Sequence, residues 1–224
     1  MVMLSNLELI RRVPLFALLT NSQAEAVAAA VTKRRCRRGE VIVEQGEKSD
    51  TLYIILTGRV RVVTADKRGR EVILATLHPG DYIGEMSLID NDPHSATCRA
   101  EVQTDMLTLG RAEFARCLPE NSSMAYAIMK GLVQRLRAAD RKIESLALMD
   151  VYGRVARALL EFGQADRDGN RVIREKLSRQ DIAKMVGASR EMVSRVMKDL
   201  EERGFIEVRA DGATVVKDRM STLG

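Results

Sequence analysis

Hydrophobic and polar positions alternate in short runs between residues 38 and 110, and this spacing is typical of β-strands. Each run is rich in valine, isoleucine, leucine and threonine and is followed by a turn sequence such as Gln-Gly-Glu, Thr-Gly or His-Pro-Gly-Asp. Strands this short and this closely spaced predict a compact antiparallel β-barrel or jelly roll. The clearest strands are predicted at 41–43, 52–56, 60–64, 72–77 and 106–109.

An alanine-rich segment precedes the strands and predicts a helix over 22–31, with Ser22 and Gln23 at its start. A basic cluster, residues 33–38, follows this helix. The cluster is either a nucleic-acid contact or a solvated strand edge or turn. No aromatic residue accompanies it to stack on bases, which favours the strand edge or turn.

Apolar residues return at helical spacing over residues 123–148, a stretch that contains no proline. The steps between them alternate between four and three residues, which is the heptad seam of a long helix. The seam packs either on the chain's own barrel or on a second copy of the chain. A helix of this length leaves most of its seam uncovered by one small domain, which favours a homodimer. The seam residues are Ala125, Met129, Leu132, Leu136, Ala139, Ile143 and Leu146.

A helix-turn-helix is predicted over 177–204. Asp150 is placed to cap a preceding helix, Val151–Phe162, and a turn-rich loop, 164–170, follows that helix. Ser178 starts the next helix, with Asp181 in the position of a capping-box acid, and a short turn containing Gly187 separates it from a second helix. The inward faces are predicted to consist of Ile182, Ala183 and Val186 in the first helix and Val193, Val196, Met197 and Leu200 in the second.

The outward side of the second helix, which begins at Ser189, carries Arg190, Glu191, Ser194 and Arg195. Residues in these positions of a recognition helix enter the major groove. An arginine there binds guanine O6 and N7, and a glutamate accepts from cytosine N4. The pattern therefore predicts binding to double-stranded DNA rather than a helical hairpin without a ligand. Two β-rich runs, 205–208 and 214–216, flank an Ala-Asp-Gly turn and predict a wing.

Composition and charge narrow the class of protein. The chain has 224 residues, of which 46% are hydrophobic and 30% charged, so two modest domains are expected. The net charge of +5 and the pI near 9.3 suit a polyanionic partner. The scattered cysteines, Cys36, Cys98 and Cys117, have neither disulfide nor zinc spacing and are expected to be buried thiols. The apolar run at 13–19 is shorter than the roughly 20 residues of a membrane span, which indicates a cytoplasmic protein with no membrane partner.

The segment GEMSLIDNDPHSAT, residues 84–97, has the composition of an anion pocket. It contains a glycine turn, an acid at Glu85, a polar loop and a Ser-Ala-Thr run whose backbone amides can meet a phosphate. Such a pocket normally carries an arginine beside the serine, because a guanidinium has a permanent charge and forked donors. His94 occupies that place, and a neutral imidazole offers one N–H donor. Loss of the charged contact costs on the order of 1.5 to 3 kcal/mol, which is roughly ten- to a hundredfold in affinity.

A β-rich N-terminal domain, a long helix and a winged helix-turn-helix with Ser-Arg-Glu followed by Arg195 resemble the CRP/FNR family of transcription regulators. The resemblance covers essentially the whole chain and is closest from Asp150 onward, in the segments LALMDVYGRVARALL and RQDI…VGASRE…SR. It implies an α+β protein: a cyclic-nucleotide-binding β-barrel or jelly roll at 1–122, a dimerisation helix at 123–149 and a DNA-binding domain at 150–224.

The resemblance also implies roles for individual residues on the DNA side. The regulator would be a homodimer that binds a palindrome with TGTGA-like half-sites and contacts RNA polymerase. Arg190, Glu191 and Arg195 would read bases. The contacts on the phosphate side would be Ser178, Arg179, Gln180 and Ser189.

In this family, residues 84–97 correspond to the phosphate-binding cassette. Gly84 and Glu85 would contact the ribose, and Ser95 and Ala96 would contact the cyclic phosphate. The full set of candidate ligand-binding residues is Gly84, Glu85, Met86, His94, Ser95, Ala96 and Asp140.

The identity of the effector stays open at the level of the sequence. Family members that bind cyclic AMP usually carry arginine in place of His94, and threonine and serine in place of Ala139 and Asp140. Asp140 either accepts hydrogen bonds from a guanine edge, which favours cyclic di-GMP or cyclic GMP, or pairs with Arg137 or Lys142 on the helix surface. A third alternative is that no nucleotide binds.

The function predicted from the sequence is a DNA-binding transcription regulator controlled by a small ligand. A ligand-independent regulator with a vestigial pocket and a nucleotide-binding module without gene regulation are the alternatives. An enzyme is disfavoured, because the chain has two histidines, no nucleophile beside a base and no metal-ligand spacing. Iron–sulfur sensing is disfavoured by the lack of a cysteine cluster, and His78 is expected to be a loop residue rather than a haem ligand.

Overall fold

The computed structural model describes residues 5–17, 19–117, 122–166, 170–174, 177–209, 212–217 and 220. The chain forms two compact units, residues 1–136 and 137–224. The helices are α1 (Asn6–Ile10), α2 (Asn21–Ala30), α3 (Glu85–Asp90), α4 (Arg111–Cys117), α5 (Ser122–Leu148), α6 (Val151–Phe162), α7 (Arg179–Val186) and α8 (Arg190–Glu202). The strands are β1 (Thr32–Cys36), β2 (Val41–Val43), β3 (Thr51–Thr57), β4 (Val60–Ala65), β5 (Glu71–Leu77), β6 (Tyr82–Ile83), β7 (Thr97–Ala100), β8 (Thr104–Gly110), β9 (Gln164–Ala165), β10 (Arg171–Ile173), β11 (Ile206–Val208) and β12 (Thr214–Val216).

Two antiparallel sheets make up most of the first unit. One has the strand order β1-β8-β3-β6 and the other the order β2-β7-β4-β5. The sheets are arranged like a jelly roll and do not close into a barrel, so the predicted α+β fold class is confirmed in its jelly-roll form. The five strands predicted from the sequence all form, with bounds within two residues of the prediction.

Strand β3 separates two apolar layers in the first unit, because successive side chains of a strand point to opposite faces. Leu52 and Ile54 pack with the N-terminal helices and with residues of α5. Tyr53 and Ile55 pack on the other side, with side chains of the second sheet. The layer with the helices includes Ile10, Phe16, Val27, Leu107, Leu109, Met124 and Ile128, and the layer between the sheets includes Val60, Leu77, Cys98, Ala100 and Met106.

The second unit is a winged helix-turn-helix. Its sheet has the order β11-β12-β10-β9, and strands β11 and β12 form the predicted wing. Asp150 caps α6 as predicted, since its Oδ1 accepts from the amide of Gly153 at 2.8 Å. The core comprises Val155, Ala156, Leu159, Ile173, Ile182, Ala183, Val186, Val193, Met197, Leu200, Ile206, Val216 and Met220. The predicted inward faces are therefore confirmed, with Val196 only partly buried against this core.

The start of α2 differs from the prediction. The helix begins at Asn21 rather than at Ser22, and Thr20 is its cap. The Thr20 hydroxyl accepts from the amide of Gln23, and the Gln23 side chain accepts from the amide of Thr20. This reciprocal capping box satisfies two amides, which a start at Ser22 would leave unpaired.

Several short strands carried too little apolar pattern to be predicted. The segment 164–170 was expected to be a loop, but Gln164–Ala165 is a strand that pairs with β10. Residues 33–36 of the basic cluster belong to β1, which lies at the edge of its sheet and confirms the strand-edge interpretation. Strands β6 and β7, on either side of α3, were also missed. Pairing with neighbours far along the chain, rather than local sequence, stabilises such short strands.

The side chains of Cys36 and Cys98 are buried free thiols, as predicted. The side chain of Cys117 lies outside the described residues. His78 follows β5 in a turn, where its amide donates to Asp81. In the described part of the chain, no helix combines the length and the apolar character that a membrane crossing requires.

We expect Gly58→Ala to destabilise the first unit much more than Gly69→Ala. Both glycines have positive φ, 91° and 75°. An alanine at either position must adopt this left-handed backbone conformation, which lowers the free energy of unfolding by about 1 to 2 kcal/mol. At Gly58 the new Cβ would also lie 2.5 Å from Oγ1 of Thr104, whereas nothing lies within 4 Å at Gly69. The added overlap raises the expected loss at Gly58 to about 3 kcal/mol or more.

Urea unfolding of the two variants, followed by circular dichroism, checks this expectation. Equal losses of stability would show that the close approach of Gly58 to β8 does not constrain the fold.

Candidate ligand pocket and DNA-reading surface

The turn that leads into α3 requires glycine. Gly84 has a φ of 94°, and a Cβ at this position would lie 2.5 Å from the carbonyl oxygen of Thr51. The left-handed backbone and the nearby carbonyl together exclude other residues. Helix α3 ends at Asn91, which is also left-handed, with a φ of 61°. The helix of the cassette is therefore a short element bounded by two sharp turns.

Both ring nitrogens of His94 form hydrogen bonds inside the first unit. Nε2 lies 2.8 Å from the Ser49 hydroxyl and Nδ1 lies 3.0 Å from the Ser87 hydroxyl. The residue is 7% exposed, and burial lowers the pKa of its imidazole. The ring is therefore neutral at neutral pH, with one nitrogen donating and the other accepting. In this arrangement His94 connects α3 to the segment before β3.

The backbone of His94 reinforces that connection. Its amide donates to the carbonyl of Glu47 at 2.8 Å, and its carbonyl accepts from the amide of Gly46 at 2.9 Å. Four hydrogen bonds therefore hold one residue against the segments 46–49 and 85–90. His94 stabilises the cassette instead of presenting a charge at its surface.

Glu85 is a buried carboxylate paired with a cation from α5. It is 2% exposed, and its Oε1 accepts from Nη1 of Arg135 at 2.5 Å. Burial raises the pKa of Glu85, and the Arg135 charge opposes that rise. Nη2 of Arg135 donates to the carbonyl of Tyr82, and the guanidinium lies 4.9 Å from the centre of the Tyr82 ring. Arg135 thus contacts Tyr82, which precedes the turn at Gly84, and Glu85, which follows it.

Tyr82 and Gly131 bring α5 unusually close to β6. The Tyr82 hydroxyl donates to the carbonyl of Ile128 at 3.1 Å, and the hydroxyl end of the side chain lies against Gly131. A Cβ on Gly131 would overlap the Tyr82 hydroxyl and lie 3.0 Å from Cζ. The glycine within α5 therefore has a packing reason, which is to admit this ring.

The C-terminal end of α3 is held by Arg111. Nη1 donates to the carbonyl of Leu88 and Nη2 to the carbonyl of Ser87, both at 3.1 Å. Nε donates to Oδ1 of Asp50 at 2.6 Å. A cation at the carbonyl end of a helix is electrostatically favourable. Arg111 therefore connects α3 to the segment that contains Ser49 and Asp50.

In the second unit, capping residues define the recognition helix. The Ser178 hydroxyl accepts from the amide of Asp181 at 3.0 Å and starts α7, and Gly187 ends α7 with a φ of 64°. The Ser189 hydroxyl accepts from the amide of Met192 at 3.2 Å and starts α8. The predicted cap at Ser178 and the predicted glycine turn are confirmed, and Ser189, where the second helix was predicted to begin, is its cap.

The outward face of α8 carries permanent charges. Arg190, Glu191, Ser194 and Arg195 are all exposed. The backbone amide of Glu191 and the Ser189 side chain lower the pKa of the Glu191 carboxyl, with smaller contributions from the two arginines. Glu191 is therefore ionised at neutral pH and acts only as an acceptor. The Ser194 hydroxyl donates to the carbonyl of Arg190 at 2.9 Å.

The turn between α7 and α8 is supported by Arg154 of α6. Its Nη1 donates to the carbonyl of Val186, the last residue of α7, at 2.9 Å. This bond satisfies a carbonyl at the helix end, where no intrahelical partner exists. Arg154 thereby positions the turn that launches the recognition helix.

Comparisons with known proteins match both units. The cyclic nucleotide-binding domain family matches residues 33–121, and the Crp-like helix-turn-helix domain family matches residues 153–221. The cAMP-activated global transcriptional regulator Vfr of Pseudomonas aeruginosa is 36% identical over 193 residues, which cover 82% of this chain and 88% of Vfr. The chain belongs to the CRP/FNR family of transcription regulators.

Two further relatives agree with this assignment. The cAMP-activated global transcriptional regulator CRP of Salmonella typhimurium is 35% identical over 181 residues, covering 78% of this chain and 84% of that protein. The structure of the c-di-GMP-responsive global regulator CLP of Xanthomonas campestris has a TM-score of 0.76 and 28% identity, covering 88% of this chain and 98% of the other. Like these CRP/FNR relatives, which are regulators and not enzymes, the chain is a DNA-binding transcription regulator.

The structure brings most of the predicted cassette residues of this CRP/FNR protein together in the first unit. Within the cassette, Gly84 adjoins the buried Glu85, and Ala96 is also buried, with 7% exposure. Met86 and Ser95 are exposed, Met86 by 49%. Asp140 lies in the second unit, on an exposed position of α5. The roles of these residues toward a ligand stay predictions.

Sequence reasoning missed the residues that hold the cassette. Ser49 and Arg111 carry no recognisable motif, and their partners lie far away along the chain. Ser87 lies within the predicted cassette, seven residues before its partner His94, but it was not predicted to contact that ring. Arg135 lies off the apolar seam of α5, and the heptad pattern gave no indication of its contact with Glu85. The isolated glycine in α5, Gly131, is a signal that was available, because a glycine inside a helix often marks a close contact.

We expect Gly131→Ala to destabilise the first unit by about 2 kcal/mol or more, because overpacking against a buried ring forces the two elements apart. In a Tyr82→Phe background the same change should cost less, since the overlapping hydroxyl is gone. Thermal unfolding of the two single variants and the double variant gives the coupling between the positions. Additive losses would contradict the contact.

Proposed function

We propose that this CRP/FNR protein is a homodimer that recognises a palindrome with TGTGA-like half-sites, and that a small ligand in the first unit controls its DNA affinity. The observation that carries the proposal is the division of α8 into two faces. Val193 and Met197 are buried, while Arg190, Glu191 and Arg195 are exposed on the first two turns. The first turns of a recognition helix are those that meet base edges.

The DNA contacts divide into two chemical classes. Arg190 and Arg195 suit guanine, and the ionised Glu191 suits the amino group of cytosine. The N-termini of α7 and α8 favour phosphate, because helix dipoles and free amides attract anions there. The phosphate contacts proposed at these termini are Ser178, Arg179, Gln180 and Ser189.

Dimerisation through α5 is supported by the exposure of its seam. Met129, Leu136, Ile143 and Leu146 are 56%, 63%, 65% and 49% exposed in the single chain. Large apolar side chains at heptad spacing are buried when a second helix packs on them. A second copy of the chain is the partner that places two recognition helices on a palindrome.

The ligand proposed for the first unit is a cyclic nucleotide. The cassette belongs to a cyclic nucleotide-binding domain, and the relatives respond to cyclic AMP in two cases and to cyclic di-GMP in the third. His94 is neutral and engaged by Ser49 and Ser87, so it is a weak partner for a phosphate. This chemistry lowers the expected affinity for cyclic AMP. Cyclic di-GMP and cyclic GMP are the alternative nucleotides.

Control by the ligand would act through Glu85. Ribose hydroxyls are donors that compete with Arg135 for the same carboxylate. Because Arg135 belongs to α5, a change in its partner alters how the helix is held. A ligand that binds the two arrangements unequally shifts their populations, and with them the DNA affinity.

One observation favours a second candidate, a regulator that needs no ligand. The buried polar groups of the cassette, His94 and Glu85, already have partners within the first unit. A pocket in which these groups are satisfied can hold its shape without a nucleotide.

The proposal also includes a domain division, a cellular location and the partners. The functional division is a sensor domain at 1–122, a dimerisation helix at 123–149 and a DNA-binding domain at 150–224. The expected partners in the cytoplasm are DNA and RNA polymerase.

Fluorescence anisotropy with a labelled palindrome tests the proposal. The full-length protein is titrated into DNA alone and in the presence of cyclic AMP, cyclic GMP or cyclic di-GMP. One nucleotide should change the DNA affinity by about fivefold or more. Specific DNA binding whose affinity none of the three nucleotides changes supports the ligand-independent candidate. Nucleotide binding without specific DNA binding contradicts the proposal.

We expect His94→Arg to strengthen binding of cyclic AMP by roughly ten- to a hundredfold, because it restores a permanent charge beside Ser95. Isothermal titration calorimetry measures the affinity. His94→Gln is the control, since it removes the imidazole and adds no charge. An equal gain in both variants, or no gain in His94→Arg, would show that charge at this position does not limit affinity.

We expect Arg190→Ala to lose about 1 to 3 kcal/mol of discrimination at one guanine of each half-site. Arg179→Ala should weaken binding to all sequences alike and reduce the dependence on salt. Competition with single-base variants of the palindrome measures both effects. A change of preferred sequence in Arg179→Ala would contradict the division of contacts.

A further inference from the structure

Met192 is the one large apolar side chain that α8 leaves exposed. All of α8 is described, and its other large apolar residues are buried or partly buried in the core of the second unit. Met192 is 44% exposed, while Val193, Met197 and Leu200 are at most 1% exposed. The Met192 side chain therefore contributes nothing to that core.

The position of Met192 on the helix is fixed by the N-cap. Its amide donates to the Ser189 hydroxyl at 3.2 Å, which makes it the third residue of the first turn. It directly follows Glu191 and lies three residues before Arg195, so its side chain neighbours that of Arg195 on the helix surface. With about 100° between successive residues, Met192 flanks the line of Glu191 and Arg195 on one side and Ser194 flanks it on the other.

The charged side chains on the first two turns of this face suit G·C pairs. The two arginines suit guanine, and the ionised Glu191 suits cytosine. Ser194 already donates its hydroxyl to the carbonyl of Arg190. None of these four side chains is thus assigned to thymine.

Thymine presents an apolar group in the major groove, its 5-methyl, and apolar side chains recognise it by contact. We propose that Met192 packs on a thymine 5-methyl group and is a specificity-determining residue for an A·T pair in each half-site. This inference rests on the proposed function, namely that α8 reads the major groove of a palindrome.

Burial of one methyl group against the Met192 side chain corresponds to about a fourfold gain in affinity per half-site. With two half-sites in a palindrome, the expected effect is about 15-fold. The contact carries no charge, so it should not alter the dependence of binding on salt.

Deoxyuridine scanning tests this contact, because uracil pairs like thymine and lacks only the methyl group. Each thymine of the half-site is replaced in turn, symmetrically in both half-sites, and the affinity of the full-length protein is measured for every duplex. At one position the replacement should weaken binding by the native protein about 15-fold. The same replacement should leave Met192→Ala unchanged, since that variant has already lost the contact.

Leu74→Ala is the matched control. Leu74 is also 44% exposed, lies on β5 of the first unit and has no role in DNA binding here. This variant should show the same response to uracil as the native protein. Because the side chain of Met192 is exposed, Met192→Ala should unfold at the native temperature, which circular dichroism verifies.

The outcomes separate this inference from the proposed function. Suppose that the native protein binds the palindrome specifically, but that every uracil replacement weakens the native protein and Met192→Ala to the same extent. The inference then fails and the proposed function stands. Equal weakening of Met192→Ala on the palindrome and on random DNA also overturns the inference, because a structural role would produce it. If the native protein prefers no sequence, the proposed function fails as well.

Discussion

The cassette of the first unit depends on one close contact, that between the ring of Tyr82 and Gly131 of α5. A glycine inside a helix costs about 1 kcal/mol relative to alanine, yet at this position it lets the ring reach the helix backbone and bond to the carbonyl of Ile128. One turn further along the same face, Arg135 reaches Glu85. The carboxylate that is proposed to meet a ribose is thus held by the helix that is proposed to form the dimer.

A buried carboxylate is unfavourable without a cation, and loss of one partner of such a pair costs on the order of 3 kcal/mol. Glu85 therefore cannot change its environment without affecting Arg135, and this coupling is the physical basis of the proposed control by a ligand. His94 plays a different part. Its two ring nitrogens connect α3 to Ser49 through hydrogen bonds, and these bonds stabilise the shape of the cassette. An arginine at this position would supply a positive charge instead.

The second unit reaches its function through a simpler constraint. Helix α8 buries Val193, Met197 and Leu200 and thereby turns its charged residues outward. The caps at Ser178 and Ser189 and the bond from Arg154 to Val186 set where the helix begins. The position of every side chain proposed to read bases follows from these few local interactions.

Local patterns allowed most of the second unit to be predicted. The caps of α6, α7 and α8, the left-handed Gly187 and the wing are each determined by neighbours in sequence, and all are confirmed. Family resemblance supplied the roles of the cassette residues, which periodicity could not.

Interactions between distant segments are what sequence reasoning missed. Ser49 and His94 are 45 positions apart, and Glu85 and Arg135 are 50 apart. Strands β1, β6 and β7 form through pairing with strands elsewhere in the chain, and β1 has the polar sequence of a loop. A single sequence contains no periodic signal for such contacts, because they arise only when the sheets assemble.

Two copies of α8 are proposed to read a palindromic site. This can be tested by selecting binding sites for the full-length protein from random double-stranded DNA. We expect enrichment of two inverted TGTGA-like half-sites, with centres separated by about one helical turn. Enrichment of isolated half-sites without two-fold symmetry, or of no sequence at all, would contradict it.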